Sequence, residues 1–495
     1  MTTLAAPNPC AIFPEQPIDV VRPQTAPMSR MTWRDFAWYR MDFQKNLMVI
    51  NSILLFEGSV DIERLISTIE HRLPNYPRFT QKVGTRFGLP YWVEDQDFDI
   101  RKHIELESFD HVSIRAPHGA NLEDATTLPN DITREELQNY MATIARVPLD
   151  PSRPLWHMHV IDRVQGGHAI VFRVHHSITD GLGLVHVLNH LTDENDTQGK
   201  TPSQVGHPLI AKPTPPSVCS YVNKVMRWLK IGFHVGRLSV QPSDERTQLK
   251  APMSGEKKLV WLPPMSMDQV RATSKRVGVT LNDLWVGAVS GALRRYLAER
   301  GERVDNKALR AAVTFNLREK SNAYQLGNEF GLVAVDLPTN HDDPNVRLSE
   351  SSRRMTAVKR SQQPRATMVF LSIVAFLPAM LQRLALNIFT SKGSAVLTNL
   401  EGPSRARYLA GSRLSDLICW VPQSGKIGIG LAFVSYAGQI QMALFVDTKL
   451  VDDPDRLLEL TREEFDILDK ATRMMAEQSG YQGEFDNLKS VCAAA

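Results

Sequence analysis

Along this chain the apolar positions recur at close to two residues in some stretches and close to 3.6 in others, which predicts a mixed α/β fold. The apolar run at 47–56 reads as a strand preceded by a short helix, and 61–73 as a helix opened by Asp61 as its cap. Residues 135–146 predict another helix. Two runs, 155–162 and 169–176, flank Gly166 and Gly167 and predict a β-hairpin. Leu184, Val187, Leu188 and Leu191 then fall at helical spacing, so His175 and His176 stand where a strand passes through a turn into a helix. The second half repeats the mixture, with strands expected at 259–262, 311–317, 396–399, 427–436 and 439–447 and helices at 267–277, 282–300 and 455–470. Tyr436-Ala437-Gly438 joins the last two strands as a hairpin.

At 495 residues the chain exceeds the size at which one hydrophobic core keeps growing, so two domains are expected. Between 196 and 255 the composition shifts toward Pro, Ser, Lys and Gln, with Pro213, Pro215 and Pro216 clustered, as in an interdomain connection. The division that follows is a flexible start at 1–27, a first subdomain at 28–195, the connection at 196–255, a second subdomain at 256–470 and a tail at 471–495. A stretch without periodicity at 115–131, holding Pro117, Gly119, Pro129 and Asn130, is read as a loop excursion. Inside the connection, 218–238 mixes Lys224, Arg227, Lys230 and Arg237 with Trp228 and Phe233. That pattern suits either an interfacial helix or one packed on the body of the protein.

Composition narrows the class. With 43% apolar and 22% charged residues the chain is an ordinary globular one, and 57 basic against 54 acidic residues leave no global field for nucleic acid. Cys10, Cys219, Cys419 and Cys492 lie far apart without metal-ligand spacing, which points to reduced thiols and a cytoplasmic location. The first thirty residues lack the apolar core of a signal peptide. The longest apolar stretch, 366–377, ends at Pro378 and is too short to span a bilayer.

The sharpest local feature is His175-His176-Ser177-Ile178-Thr179-Asp180-Gly181. Adjacent side chains on an extended strand point to opposite faces, so only one of the two histidines is expected to enter a given cavity. An imidazole titrating near neutrality can take the proton of an attacking hydroxyl. Asp180 can stiffen the turn through an Arg or backbone amides, and Gly181 permits a tight backbone at the helix start. A purely structural histidine pair remains open at this point. A metal site does not recommend itself: His186 and His190 stand four apart, but Val187 occupies the place of the zinc-protease glutamate and no third ligand stands nearby.

The His175–Gly181 segment resembles the HHxxxDG signature of bacterial wax ester synthase/diacylglycerol acyltransferases, a branch of the CoA-dependent acyltransferase superfamily. Further resemblance lies, in the same order as in that branch, in Tyr91-Trp92-Val93-Glu94-Asp95 with Phe98-Asp99, Pro148-Leu149-Asp150 with Arg153-Pro154-Leu155-Trp156, and Val279-Thr280-Leu281-Asn282-Asp283. Leu326-Gly327-Asn328, Thr398-Asn399-Leu400-Glu401-Gly402-Pro403, Tyr408-Leu409-Ala410-Gly411 and Ser435-Tyr436-Ala437-Gly438 continue it. The resemblance implies two chloramphenicol-acetyltransferase-like α/β subdomains with an active-site channel between them. It implies His176 as general base, His175 as support for the strand and Asp180 as a brace for the loop. Asn282 would lie near the acyl-transfer centre as an oxyanion donor, although Asn282-Asp283 precedes a helix and capping would also account for either residue. Trp156 and Asp283 are candidates for the substrate channel, and Gly327-Asn328 and Gly402-Pro403 for turns. Acyl-CoA is then a co-substrate with no further cofactor and no metal, and the acceptor a long-chain alcohol or a diacylglycerol. The site of work would be the cytoplasmic side of a membrane or lipid droplet, touched peripherally. Two rivals stay open on sequence: another CoA-dependent acyltransferase of the superfamily, and a non-catalytic lipid- or acyl-carrier-binding module.

Overall fold

The computed structural model describes residues 28–107 except Lys45, then 131–195, Gly232, Gly236, 241–318 and 326–478. The start at 1–27, nearly all of the 115–131 excursion, the basic stretch at 218–238 apart from its two glycines, and the tail beyond 478 lie outside the described residues.

The first half runs β1 (Met28–Arg30), α1 (Trp33–Met41), β2 (Val49–Glu57), α2 (Ile62–Arg72), β3 (Gln81–Arg86), β4 (Leu89–Glu94), β5 (Ile104–Glu107), α3 (Arg134–Ile144), β6 (Trp156–Val164), β7 (Gly167–His175) and α4 (Gly181–Leu191). The second runs β8 (Lys257–Trp261), β9 (Met265–Ser266), α5 (Met267–Arg276), α6 (Leu281–Glu299), β10 (Arg310–Asn316), β11 (Phe330–Asp336), α7 (Pro344–Lys359), α8 (Gln363–Val374), α9 (Ala379–Thr390), β12 (Ala395–Glu401), β13 (Tyr408–Leu409), β14 (Ser412–Trp420), β15 (Ile429–Tyr436), β16 (Gln439–Asp447) and α10 (Pro454–Gln478).

Local chemistry fixes many of these boundaries. Asp61 caps α2 by accepting from the Arg64 amide, and Thr133 and Thr280 open α3 and α6 with reciprocal capping boxes closed by Glu136 and Asp283. The β15–β16 hairpin turns on Ala437 and Gly438, with φ of 45° and 78°. This pair of left-handed residues matches the twist of a two-residue hairpin loop, and glycine takes the second position without strain.

Two large sheets carry the fold. One has six strands in the order β13-β14-β2-β7-β6-β5, the other pairs β11-β10-β12-β15-β16-β8 with β9 also on β16, and a small sheet is β1-β4-β3. The first large sheet is not built from the first half alone: β14 returns from the second half to pair antiparallel with β2, from Arg413 opposite Glu57 to Trp420 opposite Asn51. Sequence order therefore does not separate the two sheets, because a strand whose two faces are apolar lowers its free energy wherever an unpaired edge is available. Ile53, Leu55 and Val171 of the first sheet and Leu259, Trp261, Ala443 and Phe445 of the second bury themselves in one shared cluster with Ile418 and Trp420. The interior of the second half surrounds α6, where Trp285 stacks on Phe433 at 4.3 Å and 11°.

Candidate active site

The β7 strand ends at His175, and the chain turns through Ser177 to Asp180 before α4 begins. Both histidines are buried, and the backbone fixes them: the His175 amide donates to the Leu155 carbonyl at 2.9 Å and the His176 amide to that of Met48 at 2.7 Å. Their side chains separate, as the alternation of a strand requires. His175 Nδ1 accepts from the Ser177 amide at 3.0 Å, so its proton sits on Nε2, 2.8 Å from the Asp42 carboxylate. Every polar atom of that ring is occupied by the scaffold.

His176 faces a cavity of about 330 Å³ between the halves, lined among others by Asp180, Gly181, Asn282, Phe330 and Leu371. Its Nδ1 lies 2.8 Å from Asn328 Oδ1. The Asn328 amide nitrogen donates to Asp35 Oδ1 at 2.9 Å and to the His176 carbonyl at 2.7 Å, and the Asn328 backbone amide also reaches Asp35 Oδ1 at 3.0 Å. Both partners of that nitrogen are acceptors, so the amide cannot be the other way round. Oδ1 accepts, Nδ1 of His176 carries the proton, and Nε2 keeps its lone pair. Asp35 is held in turn by Arg78 at 3.0 Å and by the Thr32 hydroxyl at 2.6 Å. Trp38 stacks on the imidazole at 4.2 Å and 13°, and Phe330 flanks it at 5.4 Å. Burial in this surrounding pushes the pKa of His176 down to about 4, against smaller upward pulls from Asp180 and Asn328. At neutral pH the ring is uncharged.

Asp180 does not touch the ring. It caps α4 by accepting from the Gly183 amide at 2.9 Å, takes the Glu329 amide at 3.0 Å, and binds Arg318 Nη2 with both oxygens at 2.9 and 2.8 Å. The same nitrogen donates to the Gly327 carbonyl at 2.8 Å. Asp180 thus ties the turn after β7 to two segments of the second half. Gly181 opens α4 with a backbone outside the left-handed region. The tighter fit is two residues further on: a Cβ on Gly183 would stand 1.9 Å from Thr179 Oγ1, while one on Gly181 would meet Leu400 at 3.3 Å.

Asn282 lies on the cavity lining, with its Oδ1 taken by Asn399 Nδ2 at 2.9 Å, so Nδ2 is its remaining donor. The cap of α6 is Thr280 with Asp283, not Asn282. Asp283 is therefore buried in that cap, receiving the Thr280 amide at 2.9 Å with Lys359 3.6 Å away, and is absent from the cavity wall. Trp156 is likewise a core residue: its indole donates to the Phe79 carbonyl at 2.8 Å and stacks on His103 at 4.5 Å. Both side chains find enough burial and hydrogen bonding away from the cavity. His186 and His190 pack edge-on against Tyr76, at 5.9 and 5.5 Å. The sequence reading missed Asn328, Asp35, Trp38 and Arg318. Asn328 had a signal, in the Leu326-Gly327-Asn328 match, but was read as a turn.

With this geometry in view, residues 125–285 match the wax ester synthase/diacylglycerol acyltransferase catalytic domain and residues 326–469 the WS/DGAT C-terminal domain. The chain belongs to the wax ester synthase/diacylglycerol acyltransferase family. It is an acyl-CoA-dependent O-acyltransferase. A sequence relative named as a probable diacylglycerol O-acyltransferase, from Mycobacterium tuberculosis, is 25% identical over 447 residues, covering 83% of this chain and 89% of its own. Among solved structures, the wax ester synthase/diacylglycerol acyltransferase of Marinobacter aquaeolei VT8 superimposes with a TM-score of 0.63 at 18% identity, covering 90% of this chain and 99% of that one. The starter condensation domain of rhizomide synthetase follows at 0.57 and 10% identity, over 90% and 94%. The mixed α/β fold in two halves read from sequence is thus the fold of this acyltransferase family. The match at 125–285 contains His176, Asp180 and Asn282, and that at 326–469 contains Asn328, so family residues from both domains meet around the cavity.

Proposed function

We propose that His176 is the general base of direct acyl transfer from acyl-CoA to the hydroxyl of a long-chain alcohol or a diacylglycerol, yielding a wax ester or a triacylglycerol. The observation that carries this reading is the locked tautomer: Asn328 holds the proton on Nδ1, so Nε2 is the unprotonated nitrogen of a neutral, buried ring at the cavity. Nε2 takes the hydroxyl proton, the oxygen attacks the thioester carbonyl, and the tetrahedral oxyanion collapses with cleavage of the C–S bond. The imidazolium then returns its proton to the CoA thiolate. The free donor of Asn282 suits the oxyanion. Cys419 also lines the cavity, but burial pushes its thiol up to about 12, so a thiolate nucleophile and an acyl-cysteine intermediate are disfavoured.

The same reading places the enzyme peripherally on an anionic membrane or lipid-droplet surface through α8 and α9. One side of this helix pair faces the cavity with Leu371, Leu386 and Phe389, while Ile373, Phe376, Met380, Leu381, Leu384 and Ile388 are exposed. From Arg360 to Leu400 the chain has no acidic residue, and Arg360, Arg365 and Arg383 are exposed. A surface groove of about 700 Å³ is lined by Trp33, Met368, Ile373 and Phe376, and Met368 also lines a small pocket bordered by Trp38 and Asn328. No helix among the described residues is long and apolar enough to cross a membrane.

The deciding experiment is CoA release from palmitoyl-CoA with hexadecanol, dioleoylglycerol or water as acceptor. Acceptor-dependent release should fall by about two to four orders of magnitude in a His176→Ala variant that remains folded. His175→Ala should act through stability. Full turnover in a folded His176→Ala refutes the assignment.

A further inference from the structure

On the opposite edge of the first sheet, outside the acyl-transfer cavity, four side chains crowd together. β5 pairs parallel with β6, and the register sets Glu105 against His159 and Glu107 against Ile161. Side chains two apart on a strand share a face, so Glu105, Glu107, His157 and His159 all stand on the face covered by α3. Glu105 Oε2 lies 3.3 Å from His157 Nε2 and 3.6 Å from His159 Nδ1, and His159 Nδ1 lies 3.0 Å from Glu107 Oε1. Tyr140 of α3 donates to Glu107 Oε1 at 2.6 Å and stands 3.1 Å from His159 Nδ1.

We propose that Glu105, His157 and His159 bind one divalent transition-metal ion, with zinc the natural occupant, and that Glu107 or a water completes the shell. Four ligands 2.0–2.1 Å from a tetrahedral ion are about 3.4 Å from one another, and the 3.3 and 3.6 Å separations around Glu105 Oε2 fall on either side of that value. The His157–Glu105 contact is not an aligned hydrogen bond, since His157 Nε2 is buried without a hydrogen-bond partner. The donor set, two imidazoles with a carboxylate, is one zinc accepts, and a second carboxylate braced by Tyr140 gives the outer support that metal sites use. The ion would pin the short edge strand β5 to β6. The sequence reading expected no metal because, besides the four scattered cysteines, it weighed only His186 and His190 on α4 as ligands. It did not join residues 105 and 157, which only the sheet register brings together.

The test uses the full chain freed of any histidine tag, stripped with EDTA, re-equilibrated with zinc chloride and gel-filtered before elemental analysis. One zinc per chain is expected, with a melting temperature raised by about 4 °C at saturating zinc and the visible spectrum of four-coordinate cobalt when Co²⁺ replaces zinc. Glu105→Gln and His157→Ala should each weaken binding at least tenfold and abolish the thermal shift. Glu105 is 58% exposed in its side chain, so Glu105→Gln carries the test if His157→Ala fails to fold. Substoichiometric zinc in the wild type, or full zinc retained by both variants, overturns the proposal.

Discussion

If the orientation of the Asn328 amide sets the chemistry of His176, Asn328→Ala must damage turnover although Nε2 itself is untouched. The change removes three side-chain hydrogen bonds, those with His176 Nδ1, the His176 carbonyl and Asp35 Oδ1. Asp35 keeps the backbone amide of residue 328, so the complete losses fall on His176. A buried group left without its partner costs about 1–3 kcal/mol, which predicts a stability loss of roughly 2–4 kcal/mol. The same energy acts on the tautomer balance. An orphaned Nδ1–H can be relieved by moving the proton to Nε2, and each ~1.4 kcal/mol of that relief is a factor of ten in the population of reactive ring. A fall in kcat of about 10- to 100-fold follows, with little change in KM for acyl-CoA because the thioester does not need the lost contacts. The assay is steady-state CoA release at saturating acceptor, at a temperature well below the variant's melting point. A folded Asn328→Ala with kcat within about threefold of wild type would show that the ring is held by Trp38 and the backbone alone, and the tautomer argument would fail.

Five other outcomes are expected. Because His176 must be neutral to accept a proton and its pKa is depressed to about 4, kcat/KM should stay flat as pH falls through 6.5 and decline only near 4; a limb centred at 6.5 contradicts this. The same depression means the unfolded chain takes up a proton from about pH 6.5 downward while the folded chain does not, so roughly 3 kcal/mol of stability is lost by pH 4, measurable by urea denaturation against pH. Asp180→Ala leaves Arg318 buried without its carboxylate and should cost about 3–5 kcal/mol, lowering the melting temperature; an unchanged melting temperature with a displaced acid limb would instead make Asp180 part of the proton transfer. Cys419→Ala should keep acyl transfer within about fivefold, and an acyl adduct on Cys419 found by mass spectrometry would refute direct transfer. Met380→Glu/Leu384→Glu, at two exposed positions on α9, should lower co-sedimentation with anionic liposomes by more than about tenfold, given 1.5–3 kcal/mol for burying each such side chain; undiminished binding removes α9 from the contact.

What the sequence determined by itself is local. The β6–β7 hairpin, the turn that carries His175 to Asp180 and the α4 helix beyond it follow from apolar alternation, paired glycines and a capping carboxylate within a few dozen residues. The opposed directions of the two histidines follow from the same alternation, and so does the choice of at most one for the cavity. Which one, and in what protonation state, was decided by residues far away in the chain: Asn328 is 152 positions from His176, Arg318 is 138 from Asp180, and Asp35 is 293 from Asn328. Neighbouring Asn282 and Asp283 took different roles for a reason in the fold. The cap of α6 needs a carboxylate at its third residue, and the rotation of the helix turns the residue before it toward the cavity. The return of β14 to the first sheet is the same kind of event. Periodicity states that a segment will be a strand and which side is apolar, whereas the edge it pairs with is chosen by the free energy of burying both faces at once, a quantity that exists only when the whole chain is folded.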